Sequence, residues 1–163
     1  MWLVGAGCGR GLLTREGRET LARAHTVLYD ALVPLDGLRE INPRAEWLPV
    51  GKRSGRHSMD QESINGLLIR KAREGKMVVR LKGGDSFVFG RGGEEALALQ
   101  AAGISWHVVP GVSSSIAVPE HFGIPVTHRG LARSFTVVTG HTRDGQEEDW
   151  QALAPAARGL WFS

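Results

Sequence analysis

At 163 residues, with 42% hydrophobic and 23% charged residues, the chain has the makeup of a soluble globular protein with room for one substantial core and too little length for two full domains. It contains no run long and apolar enough for a transmembrane helix, Met1 leads straight into an apolar segment without a signal core, and the lone Cys8 excludes an internal disulfide, so a reducing cytoplasm is the expected setting. The net charge of +3 would admit nucleic acid, an anionic membrane or a polyanionic small molecule, but the cations do not form a stripe along one helix with aromatics interleaved, and neither nucleic acid nor membrane is expected.

Short apolar strands alternate with amphipathic helices, the pattern of an α/β fold with a mostly parallel sheet covered on its faces. Trp2 to Val4 reads as the first strand, followed by the glycine loop GAGCGRG (Gly5 to Gly11) and a helix over about Leu12 to Ala24. A dinucleotide fingerprint fails here on spacing, because G-x-G-x-x-G from Gly5 requires glycine where Arg10 stands, although an acid follows at Asp30. Thr26 to Tyr29 is the second strand and Glu46 to Val50 the third. The Gly51-Lys52 pair after it is not a Walker loop, since Arg53 follows and Glu46 occupies the first glycine's place.

Lys52, Arg53 and Arg56, with His57 beside them, form a basic loop before a helix whose capping box is expected from Ser58 and Gln61. That helix carries Ile64, Leu67, Leu68 and Ala72 on one face and ends at Gly75. Met77 to Leu81 is a β-branched run that reads as a buried strand, and LKGGDSFVFGRGGEE (Leu81 to Glu95) follows it. Gly83 and Gly84 let backbone approach a ligand closely. Glu94 and Glu95 sit in the positive first turn of a helix from about Arg91 to Ala102, so the segment is strand, glycine loop, helix, a ligand-binding arrangement at a strand's carboxyl end.

Trp106 to Val109 is the fifth strand, followed by Pro110-Gly111 and a short helix after Ser113. Gly123 to Arg133 reads as a connection containing Pro125. Ser134 to Thr139 and Gly159 to Phe162 read as strands of a second sheet, so the domain boundary is expected near Arg133: residues 1–133 form an N-terminal α/β domain and 134–163 begin a second one. The exposed edges of that second sheet favour self-association. His121, His128 and His141 have gaps that match no metal site, and the tryptophans adjoin predicted strands or helices, as core or boundary residues do.

Three segments in order, GKRSGRHSM (Gly51 to Met59), LKGGDSFVFGRGGEE and PGVSSSIAVPEHFGIPVTHRG (Pro110 to Gly130), resemble the uroporphyrinogen-III C-methyltransferases of the tetrapyrrole methylase superfamily. The resemblance runs from about Leu3 to about His141. It implies the N-terminal domain of the tetrapyrrole methylase fold, with most of the C-terminal domain lacking, since the family's enzymes are roughly half as long again and build their site between two α/β domains. It also implies S-adenosyl-L-methionine as methyl donor, no metal, a homodimer, and methylation of uroporphyrinogen III at carbons 2 and 7 to precorrin-2, for sirohaem or cobalamin biosynthesis. The competing reading is a non-catalytic module of the same descent that binds tetrapyrrole or a partner subunit.

Residue by residue, Asp30 matches the family's proposed proton acceptor and Lys52 its proposed proton donor. On the residues alone they read as a turn-capping aspartate and a surface lysine. Cys8, Gly83, Gly84, Asp85, Val88, Ser113 and Ser114 match cofactor-binding positions. Arg53, Arg56, Arg91 and Arg129 are the residues expected to meet the substrate's carboxylates. Two departures stand out: the first loop usually reads GAGPGDPG, so Cys8 stands at a proline and Arg10 brings positive charge where an aspartate is usual, and Ser86 replaces a proline.

Overall fold

The computed structural model describes residues 1–51, 59–139 and 160–162. Five strands, β1 (Trp2–Gly5), β2 (Thr26–Tyr29), β3 (Glu46–Pro49), β4 (Val78–Lys82) and β5 (His107–Val109), form one sheet in the order β3-β2-β4-β1-β5. Every pair in it is parallel, with Val4 level with Leu81 on one side and Val109 on the other. Helices α1 (Arg15–Ala22), α2 (Leu38–Ile41), α3 (Gln61–Arg73) and α4 (Gly92–Ala101) lie in the successive crossovers. The α/β class read from the alternation is therefore the one observed.

Strand order follows from burial. β2 and β4 are buried along their whole length and β1 from its second residue onward, as strands covered on both faces must be. Period-2 alternation then divides the core into two. Val4, Val27, Tyr29, Val79 and Leu81 pack with Leu21 of α1 and Leu38 of α2. Leu3, Leu28 and Val78 pack with Ile64 and Leu68 of α3 and with Ala96 and Leu99 of α4. On β4, Arg80 and Lys82 have the same parity as Val78, so that strand turns two cations toward the α3 and α4 face.

The connection leaving β2 runs to β3 on one side, and the connection leaving β4 runs past β1 to β5 on the other. A crevice opens outside the carboxyl ends of strands where such connections diverge. Asp30 follows β2 directly, and Lys82 ends β4.

Helix ends show where the sequence reading needs correction. α1 starts at Arg15 and not near Leu12, because Thr14 caps it by accepting a hydrogen bond from Gly17 N at 3.1 Å. α3 is capped by Asp60, whose carboxylate accepts from Ser63 N at 2.7 Å; Ser58 of the expected capping box, with Lys52, Arg53, Arg56 and His57, lies outside the described residues. That bond holds the Asp60 carboxyl below its ordinary value of 3.8, so this cap's contribution to stability is present above about pH 4 and is lost as pH falls through the lowered folded value. The single turn α2 had no sequence signal: its N-cap is Gly37 in the left-handed region, with no side-chain cap bond.

Contacts group the chain into two compact units, Met1–Ser113 and Ser114–Ser163, and the boundary expected near Arg133 falls inside the second. In that unit α5 (Ser114–His121) is followed by a bridge between His128 and Ala132, and β6 (Phe135–Val137) pairs in parallel with β7 (Leu160–Phe162). No helix among the described residues is long and apolar enough to cross a membrane.

The α1 carboxyl end rests on one side chain. Asn42 Nδ2 lies 3.0, 3.1 and 2.8 Å from the carbonyl oxygens of Leu21, Ala22 and Ala24 and shares its two hydrogens among them, adding to the backbone bond that Leu21 O accepts from Ala24 N. Asn42→Ala should therefore destabilise the protein by about 1 to 3 kcal/mol. Chemical denaturation measures this, and an unchanged midpoint would mean that water serves those carbonyls equally well.

Candidate functional site

Three strand ends converge at the carboxyl edge of the sheet. A Cβ built on Gly5, at the end of β1, would lie 2.5 Å from Gly111 Cα and 2.7 Å from Gly84 O. No side chain fits there, so glycine at Gly5 and Gly111 is what lets the loops after β1, β4 and β5 touch backbone to backbone. Two further bonds lace the first two loops: Gly7 N donates to Gly84 O at 3.1 Å and Gly84 N to Gly7 O at 2.8 Å. Gly84 sits at φ +63°, a conformation that a side chain would strain.

Asp85 joins the third loop. Its Oδ1 accepts from Phe87 N at 2.8 Å and its Oδ2 from Gly111 N at 2.9 Å. This acid therefore holds the loop after β4 against the loop after β5. Cys8 is exposed on the first loop, Gly83 and Gly84 lie on the second, and Val88 is exposed just beyond it. Ser113 closes the first unit, whereas Ser114 opens α5 in the second. Of the positions matched to donor binding, those from Cys8 to Ser113 thus share one edge of one sheet.

Beside this edge lies a cluster that sequence reading missed. Arg80 and Lys82, at 1% and 3% exposure, are buried with Glu95 at 0%. Glu95 Oε1 lies 3.0 Å from Arg80 Nε and 3.2 Å from Lys82 Nζ, and it accepts from Gln61 Nε2 at 3.4 Å. Arg80 Nη2 pairs with Asp30 Oδ1 at 2.5 Å, and Lys82 Nζ lies 3.4 Å from Asp30 Oδ2. Two cations and two carboxylates balance, which buried charge requires. Asp30 is the one member with appreciable access, its side chain one-quarter exposed. The signal was available: two cations on one face of a strand otherwise made of Val and Leu must meet acids in the covering helix, and Glu95 is that acid.

Among the described residues, Arg10 and Arg91 are paired with acids of their own. Arg10 donates to Asp36 at 2.7 Å on the surface, and this hydrogen bond raises the arginine's pKa, so the charge added to the first loop is offset by a neighbouring acid. Arg91, at φ +57°, makes a two-pronged bond to Glu94 at 2.8 and 2.7 Å within its own helix start. Arg129 and Arg133 line an open cleft within the second unit with Thr127 and His128. Among the described residues no group of His, Cys, Asp and Glu is arranged to hold a metal ion, and His141 lies outside those residues. Ser86, where the resemblance expects proline, is fully buried, and its Oγ has no hydrogen-bond partner.

Residues 1–160 match the family model described as Tetrapyrrole (Corrin/Porphyrin) Methylases. A uroporphyrinogen-III C-methyltransferase of Methanocaldococcus jannaschii is 54% identical over 147 residues, which is 90% of this chain and 61% of the relative. A siroheme synthase of Photorhabdus laumondii is 52% identical over 154 residues, 93% of this chain and 33% of the relative. The crystal structure of a Thermus thermophilus uroporphyrin-III C-methyltransferase complexed with S-adenyl homocysteine superposes with a TM-score of 0.78 at 46% identity, covering 93% of this chain and 64% of that one. The chain thus spans about three-fifths of the first relative and a third of the second.

The glycine contact predicts a sharp contrast between two substitutions. Gly5→Ala drives a methyl into Gly111 and Gly84, and should destabilise the protein by about 1 to 3 kcal/mol or more. Gly93→Ala, on α4 with nothing within 4 Å of the new methyl, should leave stability unchanged or raise it by up to about 1 kcal/mol. Thermal midpoints of the two variants check this, and equal midpoints would mean that the strand ends separate freely.

Proposed function

This chain belongs to the tetrapyrrole (corrin/porphyrin) methylases, and we propose that it carries the donor loops and proton acceptor of a uroporphyrinogen III C-methyltransferase. The observation that carries the reading is a juxtaposition within one sheet. Asp30, held by two cations and still partly exposed, stands at the same carboxyl edge as the glycine-laced loops of β1, β4 and β5.

Those loops fit the donor. Their backbone contacts and the Asp85 bonds fix the edge against which the amino-acid end and the ribose of S-adenosylmethionine would lie. Cys8, Gly83, Gly84, Asp85, Val88, Ser113 and Ser114 are the residues that this reading assigns to the donor. When bound, S-adenosylmethionine supplies an electrophilic methyl group, whose bond to sulfur breaks with the electron pair left on sulfur as a ring carbon takes it.

Pyrrole carbons of a reduced tetrapyrrole are already nucleophilic, so the protein need not create a strong nucleophile. Its work is to align the ring, exclude water and take up the proton that the methylated ring releases. Asp30 is the acceptor, and Lys52 is assigned the donor's role. The substrate's eight carboxylates would be met by Lys52, Arg53, Arg56, Arg91 and Arg129. For Arg91 that contact competes with Glu94. Carbons 2 and 7 as the methylated positions, precorrin-2 as product, and a place in sirohaem or cobalamin synthesis complete the proposal.

The same reading places the protein in the cytoplasm as a homodimer. Exposed Phe122, Ile124 and Leu131 in the second unit, with the edges of the β6 and β7 pair, supply surface for self-association.

Taken alone, these 163 residues should bind the donor weakly and transfer methyl groups far more slowly than ~1 per second, because the relatives extend well beyond the matched region. Isothermal titration with S-adenosylhomocysteine and a methyl-transfer assay test this; turnover at ordinary enzyme rates would show that the chain suffices. No detectable donor binding, even when the chain is joined to a relative's remaining portion, would favour the non-catalytic module.

Asp30→Asn keeps the shape of the side chain and removes the accepting carboxylate. Methyl transfer should fall by about 100- to 10,000-fold, with donor affinity nearly unchanged. Lys52→Met should mainly weaken tetrapyrrole binding. A rate within twofold of the parent for Asp30→Asn would leave Asp30 only its structural role as counter-ion to Arg80 and Lys82.

A further inference from the structure

Glu95 is wholly buried, and it contacts the same two cations that hold the partly exposed Asp30. Arg80 and Lys82 both approach the same oxygen of Glu95, Oε1, and then diverge: Arg80 reaches Oδ1 of Asp30 and Lys82 reaches Oδ2. Each cation is a bridge from one fixed point to a different oxygen of the Asp30 carboxylate. Two such bridges fix both the position and the plane of that carboxylate, whereas one would leave it free to rotate. Each Asp30 oxygen keeps acceptor capacity beyond its cation contact.

A purely stabilising role explains this arrangement poorly. Arg80, Lys82 and Glu95 are at most 3% exposed, and well-packed apolar residues commonly serve a buried strand as well as an ion cluster does. Val78, on the same face of β4, shows that the strand accepts apolar packing there. The second oxygen of Glu95 has no hydrogen-bond partner although it is buried. The carboxylate is thus used on one side only, as an anchor for the two cations and for Gln61.

We infer that Glu95 is a positioning residue of the transfer site, acting through Arg80 and Lys82 to set the orientation in which Asp30 receives a proton. The inference rests on Asp30 being the acceptor, and its test separates the two ideas. Glu95→Gln retains the volume and removes the charge. In the 163-residue chain labelled with 13C at aspartate carboxyl carbons, the Asp30 resonance is identified by its loss in Asp30→Asn. Glu95→Gln should move that resonance while those of Asp36, Asp60 and Asp85 stay in place. Single-turnover methylation of uroporphyrinogen III, with protein in excess, should slow at least about tenfold, since misplacement by about 1 Å can cost 100-fold. The dissociation constant for S-adenosylhomocysteine should stay within twofold.

Because Glu95 is wholly buried, the double variant Glu95→Gln/Lys82→Met accompanies it. This removes one charge of each sign, leaves the Arg80–Asp30 pair and should fold with the same slowed transfer. An unmoved Asp30 resonance in either folded variant overturns the inference. A rate within twofold of the parent, when Asp30→Asn has lost activity, does so as well. Unfolding of the charge-balanced double variant would show the cluster to be structural, with the same consequence. If Asp30→Asn itself leaves the rate intact, the acceptor assignment fails first, and the inference falls with it.

Discussion

Arg80 and Lys82 are the constraint around which the first unit is arranged. β4 is the middle strand of the sheet, buried along its whole length, and a cation there has no access to water. Removing one partner of a buried ion pair typically destabilises by about 3 to 5 kcal/mol, because the other charge is left unpaired in a low-dielectric interior. The acids must therefore arrive from specific places. Glu95 arrives from the first turn of α4, where the helix's positive end also favours a carboxylate. Asp30 arrives from the end of β2, the strand neighbouring β4 in the sheet. Charge balance thus couples the placement of α4 to the point where the strand connections diverge, and the crevice acquires a carboxylate as a consequence of folding the strand beneath it.

The glycine contact is a separate constraint and acts at the next pair of strands. β1, flanked by β4 and β5, ends in Gly5, and the missing Cβ atoms at Gly5 and Gly111 bring the three loops into contact. Asp85 then locks the arrangement by accepting two backbone N–H bonds from different loops. Its role is accordingly to hold the loop after β4 against the loop after β5. Two acids that follow adjacent strands are thus held differently: Asp85 by backbone N–H groups, Asp30 by the side chains of two buried cations.

How much of this could be read from the sequence depended on the kind of force involved. β-branched runs announced the sheet, since burial on both faces selects Val, Ile and Leu whatever the partners are. The glycine loop was legible for the same reason: GGD after such a run has few structural uses. Helix starts were less legible, because several Ser, Thr and Asp residues compete for each cap. Thr14 and Asp60 won through local geometry that spacing does not encode. The cluster was missed because its logic is three-dimensional. Arg80 and Lys82 share a strand face by parity, which sequence gives, but their partners lie fifteen and fifty residues from Arg80 along the chain. Glu95 was read as a helix-start acid, which it is, without its burial.

The two departures from the family's loop pattern have different physical fates. Arg10 is matched at once by Asp36, so the charge it adds to the first loop is offset on the surface. The compensation is exposed to solvent on both sides and weakens as salt screens it. Ser86 has no such remedy: its hydroxyl is fully buried and unpaired, in a position where the family's proline would bring no side-chain polar group. A surface substitution can recruit a flexible partner from across a loop, whereas a buried one must be met by atoms already fixed by packing. Ser86 is part of the loop after β4, which the Gly84 bonds and Asp85 hold in place. The contacts that hold this loop against its neighbours leave the serine hydroxyl without a partner.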